Sequence, residues 1–153
     1  MNSKYNFYYK APAEIIAETL SLIARMTVQP TQKQKSVIND TIKSLKNAGI
    51  WDLLDAFVMF HSHDVQAAYL NWKANTSNPT PVNSPIFTAF SGIFFGNTKY
   101  INTNLIPNTS TLYKLNDASF GIKTNTEASE GPFYDLVRGS SGAGISYIRR
   151  KYS

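Results

Sequence analysis

The chain has 153 residues, a formal net charge of +5 and no cysteine. The missing cysteines exclude disulfide bonds, thiolate metal sites and thiol catalysis, and a hydrophobic content of 42% excludes disorder over most of the chain. Its positive residues are spread out apart from Arg149-Arg150-Lys151 at the end. Because nucleic-acid binding usually needs a basic patch with a recognisable motif, this spread argues against it.

Targeting signals are missing from the sequence. No stretch approaches the ~18 uninterrupted apolar residues of a membrane span, so we expect no membrane insertion. The N-terminus, MNSKYNFYYKAPAEII, has no apolar core of the length that a signal peptide needs. We therefore expect synthesis in a cytoplasm.

Composition changes near Asn75. Residues 1–74 contain one glycine and two prolines, whereas residues 75–153 contain seven glycines and five prolines. Helices tolerate few such residues, and turns between strands use many. We predict an α+β protein with an extended aromatic arm (1–12), a helical segment of three to four helices (13–74), a linker (75–85) and an antiparallel β module (86–153).

The arm carries four aromatic residues before the first helix, and they have no periodic partner. A free tail would expose all four rings to water. We interpret the arm as an anchor that docks on another chain or on the protein's own surface. The four rings belong to Tyr5, Phe7, Tyr8 and Tyr9.

The first two helices have clear signals. Apolar residues at a 3–4 spacing from Ile16 to Met26 predict one helix, which should stop before Pro30. Thr31 and Gln34 can form a capping box at the start of the second helix. Gly49, with apolar Ile50 after it, fits a left-handed cap at its end.

Two further helices are predicted after Gly49. One is expected from Trp51 to Phe60, because apolar residues recur along it. The other is expected from Asp64, a plausible N-cap, through Trp72. The connections are short, so neighbouring helices should be antiparallel or meet at a corner.

The second half has the pattern of short strands separated by Gly, Pro, Asn and Ser. Between residues 100 and 105 the side chains alternate in the manner of a half-buried strand. Strands at this spacing suggest an antiparallel sheet, a sandwich or part of one. The predicted strands span 86–95, 99–106, 111–116, 119–124, 133–137 and 144–150.

Few residues in the sequence suggest chemistry. His61-Ser62-His63-Asp64 could contribute zinc ligands, but the chain has only two histidines and no cysteine. We therefore favour a corner between helices, with Asp64 as a cap. Glu127 and Glu130 lie in a polar stretch rather than in the apolar pocket that raises a catalytic carboxyl pKa. We expect no enzymatic activity, no catalytic residue, no metal and no cofactor.

Aromatic residues of the predicted strands allow two interpretations. They could form the core of a sheet, or they could stack on sugars or make an interface. We name as candidate binding residues Tyr8, Tyr9, Phe94, Phe95 and Tyr100.

Several strings in the chain look familiar: ARMTVQPT (24–31), LKNAGIWDLLDAF (45–57), HDVQAAYLNW (63–72), TPVNSPIFTAFSG (80–92) and YINT (100–103). Together they resemble a group of bacteriophage and prophage virion proteins, such as tail fibre, tail spike or capsid-decorating proteins. In that group a short helical segment precedes a β-sandwich of the laminin-G or concanavalin-like type. Residues that match the helical signature, and that we expect to be structural, are Gly49, Trp51, Asp55, His63, Asp64, Gln66, Asn71 and Trp72.

The resemblance implies a virion structural protein with a role in assembly or attachment. Residues 75–153 are few for such a sandwich. The chain could be a fragment, its jelly-roll sandwich could be incomplete or reduced, or neighbouring subunits could complete it. An open sheet edge favours oligomerisation by strand addition.

The expected location is the virion, after synthesis in the bacterial host cytoplasm. The expected partners are other virion proteins and further copies of the chain. The alternative is a carbohydrate-binding module of a phage receptor-binding protein, with a host-surface glycan as its partner.

Overall fold

A computed structural model describes residues 14–95, 98–106, 109–114 and 119–122, together with the backbone of two further strands. The described part of the chain is α+β, with three α-helices, one 3₁₀ turn and six short strands. The chain divides into two compact units, with the boundary between Thr103 and Asn104. In chain order the elements are α1 (Ala17–Ala24), α2 (Gln32–Asn47), the 3₁₀ turn (Trp51–Leu53), α3 (Val65–Ala68), β1 (Thr80–Val82), β2 (Ile86–Thr88), β3 (Gly92–Phe94), β4 (Tyr100–Asn102), β5 (Asp135–Arg138) and β6 (Ile145–Ile148).

The strands form three separate antiparallel pairs. β1 pairs with β4, β2 with β3, and β5 with β6. In the second pair Ile86 lies opposite Phe94, and Phe87 lies opposite Ile93. Among the described residues no sheet has more than two strands. The first two pairs belong to the first compact unit and the third pair to the second.

The core lies within the helical segment. It is formed by side chains from α1, α2, the 3₁₀ turn and the region around α3, namely Leu22, Ile23, Met26, Ile38, Ile42, Trp51, Ala67, Leu70 and Trp72. By contrast, none of the residues described between 80 and 122 is buried. Apolar burial is the main favourable term in folding, so the helical segment supplies most of the stabilisation in the described chain.

α1 ends earlier than the apolar spacing predicted. Its last residue is Ala24, and Met26 is buried beyond the helix rather than within it. The Gln29 side chain explains the stop, because its Nε2 donates to the carbonyls of Ile23 at 3.2 Å and Met26 at 2.9 Å. Carbonyls at a helix end need such partners. The predicted start near Pro12 lies outside the described residues.

Both caps predicted for α2 are confirmed. The Thr31 hydroxyl accepts from the backbone of Gln34, and the Gln34 side chain accepts from the backbone of Thr31. At the other end Gly49 has a φ of +69°. Ile50 N donates to Leu45 O at 2.9 Å, and Gly49 N donates to Lys46 O at 3.0 Å. These two bonds make a Schellman motif, which satisfies carbonyls that the helix leaves unpaired.

Replacing Gly49 by alanine should lower the free energy of unfolding by about 1 kcal/mol, because a side chain disfavours left-handed backbone. A Cβ at this position would meet no atom within 4 Å, so the cost comes from the backbone alone. Gly121→Ala is the matched control, since that site also has open space and has no positive φ. Urea unfolding measures both variants. Equal losses would show that the cap is not the cause.

The two helices predicted between Trp51 and Trp72 are much shorter than expected. Only the 3₁₀ turn and the four-residue α3 are helical there. Asp64 is confirmed as the N-cap of α3, since its Oδ1 accepts from the backbone of Gln66 and Ala67. Elsewhere a bridge between strand-like residues replaces the helices. Val58 pairs with Asn71, and Trp72 N donates to Phe57 O at 2.7 Å.

The predicted strand 86–95 is a hairpin rather than one strand. Its chain reverses between β2 and β3, where Phe90 has a φ of +58° and Gly92 a φ of +112°. Strand 99–106 shortens to β4, and the described residues of 111–116 and 119–124 contain no strand. β1 lies inside the predicted linker, with a proline at its centre, as only edge strands allow. β5 overlaps the predicted strand 133–137 and ends one residue beyond it, and β6 lies within the predicted strand 144–150.

Candidate functional site

The Asn71 side chain hydrogen-bonds to main-chain groups on both sides of α3. Its side chain is fully buried. Oδ1 accepts from the backbone N–H of Phe57 at 3.0 Å and of Lys73 at 3.1 Å, and Nδ2 donates to the Thr76 carbonyl at 2.9 Å. One side chain therefore satisfies three main-chain groups from two segments. This explains why residues after α3 are extended rather than helical.

Arg25 joins the end of α1 to the same region. Its guanidinium donates to the carbonyls of Ala74 and Asn71, both at 2.9 Å. The backbone N–H of Asn71 in turn donates to Asn78 Oδ1 at 2.8 Å. We call Arg25, Asn71 and Asn78 with these bonds the Asn71 network. Arg25 lies in one of the strings that carry the resemblance, yet the sequence alone did not single it out.

The residues around α3 tie it to the loop after α1. Gln66 Oε1 accepts from Thr27 N at 3.1 Å, and Gln66 Nε2 donates to Arg25 O at 3.0 Å. His63 Nε2 donates to the Val28 carbonyl at 2.9 Å. A carbonyl cannot donate, so Nε2 carries the proton. The Gln66 and His63 side chains therefore hydrogen-bond to the backbone of their own chain.

Trp51 and Trp72 are the two tryptophans among the residues that carry the resemblance. Trp51 is 3% exposed, and Lys73 Nζ lies 5.0 Å from its ring centroid. Trp72 packs edge-on against Phe57, with ring centroids 5.6 Å apart. Asp55 is half-buried between the 3₁₀ turn and the bridged segment. Trp51 and Trp72 are therefore core positions.

Asn39 is a second buried amide that the sequence interpretation missed. Its Oδ1 accepts from Ile16 N at 3.0 Å and from the Thr19 hydroxyl at 3.2 Å, and its Nδ2 donates to Glu14 O at 3.1 Å. It fixes the start of α1 against α2. A signal was present, because Asn39 lies three residues before Ile42 and so shares its buried side of the helix.

Three ionisable groups in the described part of the chain have shifted pKa values. A hydrogen bond from Lys46 lowers the pKa of Glu18, which keeps that carboxylate charged between α1 and α2. Burial lowers the pKa of Arg25 and raises the pKa of Tyr69. An arginine remains protonated in any case. Each shift belongs to a group in the packing of the helical segment.

The two histidines do not converge. His63 holds the Val28 carbonyl, whereas the His61 ring lies edge-on to Phe90 with centroids 6.3 Å apart. Among the described residues no group of three or more His, Cys, Asp or Glu side chains could hold a metal ion. An open groove on α2 lies along Val37, Thr41 and Leu45, with Asp40 as its ionisable group.

Large apolar residues in and next to the β2–β3 hairpin and β4 are exposed. We call these five residues the exposed aromatic set, although one is an isoleucine: Ile86 (54% exposed), Phe90 (52%), Phe94 (68%), Phe95 (42%) and Tyr100 (55%). Ile86 and Phe94 are cross-strand partners, so their side chains are neighbours on one face. The alternative that these rings form a sheet core does not hold for the described residues.

The turn of the hairpin is fixed to the helical segment. Phe90 N donates to Ser62 O at 2.8 Å, next to the contact between Phe90 and His61. The hairpin therefore stands at a defined place on the first compact unit. Of the five candidate binding residues, Phe94, Phe95 and Tyr100 belong to the exposed aromatic set, and Tyr8 and Tyr9 lie outside the described residues.

No family model, curated protein or solved structure matches this chain. Within the part of the chain that the structure describes, no helix is both long and apolar enough to cross a bilayer.

Proposed function

We propose that this chain is a non-enzymatic structural protein of a bacteriophage virion, associated with the tail or the capsid and acting in assembly or attachment. One observation carries the proposal. The residues described between 80 and 122 bury no side chain of their own, and they expose large apolar ones instead. Such a region gains its stability from contact with something else.

The strand pairs support the same conclusion. An isolated two-stranded hairpin is marginally stable in water, and three or more strands are needed for independent stability. β1–β4 and β2–β3 each have three residue pairs. Among the described residues no further strand pairs with β2 or β3, so this hairpin can accept a strand from another chain at its edge. We infer that neighbouring virion proteins complete a reduced jelly-roll sandwich around them.

The helical segment would be the rigid, self-supporting region of this virion protein. Its buried amides and Arg25 hold the backbone in place without help from another chain. The residues that match the phage signature are used in that packing, which supports the expectation that they are structural. A chain built in this way offers a folded base and an incomplete sheet, as an assembly component requires.

Carbohydrate binding is the second candidate. It is favoured by the exposure of Tyr100, since tyrosine faces can stack on sugars while the hydroxyl stays hydrated. Specific binding on a glycan array that Tyr100→Ala abolishes would favour this function. A blank array would leave assembly as the better account.

Mass spectrometry of purified particles tests the proposal. Particles from the phage or induced prophage whose genome encodes the chain are banded by density and washed in high salt. We expect the chain to stay with the major capsid and tail proteins through both steps. Recovery only in the soluble lysate would contradict the proposal. An unrelated host protein of similar abundance provides the control for carry-over.

A further inference from the structure

Two rows of side chains on α2 bound its open groove. The apolar row consists of Val37, Thr41 and Leu45, and the polar row consists of Asp40 and Ser44. Residues four apart form such rows on any helix, and the space between two rows is where a second segment packs. Val37 is 59% exposed, so the described part of the chain leaves this space uncovered.

The N-terminal arm joins the described chain beside this groove. The arm itself, residues 1–12, lies outside the described residues, and Glu14 is the first residue described. The Glu14 carbonyl accepts from Asn39 Nδ2 at 3.1 Å and from Lys43 Nζ at 2.9 Å. Asn39 and Lys43 directly precede the two residues of the polar row along α2. The arm is therefore tied to the polar side of the groove.

We propose that the aromatic arm docks in the α2 groove of its own chain, with the rings of Tyr5, Phe7 and Tyr9 between the two rows. The proposal selects one of the two partners that the sequence leaves open for the arm, and it does not depend on the virion role. Alternate residues of an extended chain project to the same side, so these three rings share one face of an extended arm.

The spacing of the rings matches the spacing of the groove. An extended chain advances about 6.6–6.8 Å between alternate residues. Successive members of the apolar row are four residues apart on α2, and four residues of a helix advance about 6 Å. Three rings and three row positions can therefore lie side by side over the whole groove.

The chemistry of the groove also fits this occupant. A tyrosine combines an apolar ring with a polar hydroxyl. Its ring can pack against the apolar row while the hydroxyl bonds to Asp40 or Ser44 across the groove. A purely apolar segment would leave those two polar side chains without a partner in the contact.

The covalent connection favours the arm over a separate partner. Tyr9 lies five residues before Glu14, so an extended chain keeps it within about 17 Å of that residue. A segment tethered at this distance has an effective concentration in the millimolar range, which a separate chain rarely reaches. Docking also covers the apolar rings that a free tail would expose to water.

Photo-cross-linking of the purified full chain tests the proposal. The photoreactive amino acid p-benzoylphenylalanine replaces Phe7 in one variant and Tyr8 in the matched control, whose ring projects to the opposite side of an extended arm. The chain is irradiated at about 1 µM, far below the effective concentration of a tethered segment. Peptide mass spectrometry then maps the adducts. We expect the label at Phe7 to attach to residues 37–45 of its own chain at least about threefold more often than the label at Tyr8 does, as for one aromatic contact.

Three results would overturn the inference. Equal yields at residues 37–45 from the two labels would show random collisions of a tethered arm. Adducts that fall mainly elsewhere in the chain would show a different docking place. Adducts at twice the chain mass of 17.1 kDa would show that the arm docks on a second copy. Circular dichroism checks that both labelled chains fold, and each label keeps an aromatic ring at its position. The experiment needs no virion, so arm docking and particle association can succeed or fail separately.

Discussion

Replacing Asn71 by alanine should lower the free energy of unfolding by about 2–4 kcal/mol. The substitution removes the partner of the N–H groups of the half-buried Phe57 and Lys73, and it leaves a cavity where a fully buried side chain was. Each buried polar group left unpaired costs about 1–3 kcal/mol. Because domains are stable by only about 5–15 kcal/mol, this is a large part of the total. Urea unfolding followed by tryptophan fluorescence measures the change.

Asn47→Ala is the control for the Asn71 variant. Asn47 is exposed at the last position of α2, and no side-chain hydrogen bond is found for it among the described residues. Exposed substitutions away from such features usually change stability by less than about 0.5 kcal/mol. If Asn71→Ala cost no more than this control, the Asn71 network would not be what holds residues 57 to 76 together.

Replacing Trp51 by alanine should cost about 3–5 kcal/mol, the range for large aromatic residues removed from a core. Trp51 is 3% exposed and packs within the main apolar cluster. The change also removes the ring under Lys73 Nζ, a cation–π contact worth about 0.5–1 kcal/mol. Trp51→Phe should lose less, because a smaller ring still fills part of the space. Chemical denaturation compares the series.

Leu53→Ala is the matched control for Trp51. It removes an apolar side chain from the same 3₁₀ turn, at a position that is 72% exposed. Its loss should stay below about 0.5 kcal/mol. Comparable losses for Trp51→Ala and Leu53→Ala would mean that the turn, rather than the buried ring, determines stability here.

Features fixed by neighbouring residues could be predicted from the sequence. The capping box joins Thr31 to Gln34, the Schellman motif needs a glycine at residue 49, and the α3 cap joins Asp64 to residues two and three positions later. In each case the partners lie within about one helical turn. The amino acids involved also have few other structural uses.

Features fixed by distant partners could not be predicted. Residues 54–60 have a helical apolar pattern, but Asn71, fourteen residues beyond Phe57, takes the Phe57 N–H and leaves that segment extended. The reversal at Phe90 uses a positive φ at a phenylalanine, which propensity does not indicate. Its N–H bonds to the carbonyl of Ser62, 28 residues earlier in the chain. α1 ends for a more local reason, because Gln29 bonds back to the Ile23 carbonyl in its last turn.

The exposed aromatic residues could be predicted from the sequence only in part. Phe94, Phe95 and Tyr100 could be named as binding candidates from their abundance and alternation. Their exposure could not be known, because a phenylalanine in a strand is buried in most sheets. What distinguishes them is the absence of any buried residue in the described hairpins. Burial of a strand residue depends on how many strands pack together, and no local sequence pattern indicates that number.

Cross-linking mass spectrometry on purified particles tests the central claim, that the strand pairs are completed by other chains. The lysine pair to compare is Lys99, directly before β4, and Lys46, which pairs with Glu18 between α1 and α2. We predict that links to other virion chains or to second copies concentrate at Lys99, and that Lys46 links mainly within its own chain. Links from Lys99 that stay within the chain, in particles that contain it, would contradict the claim.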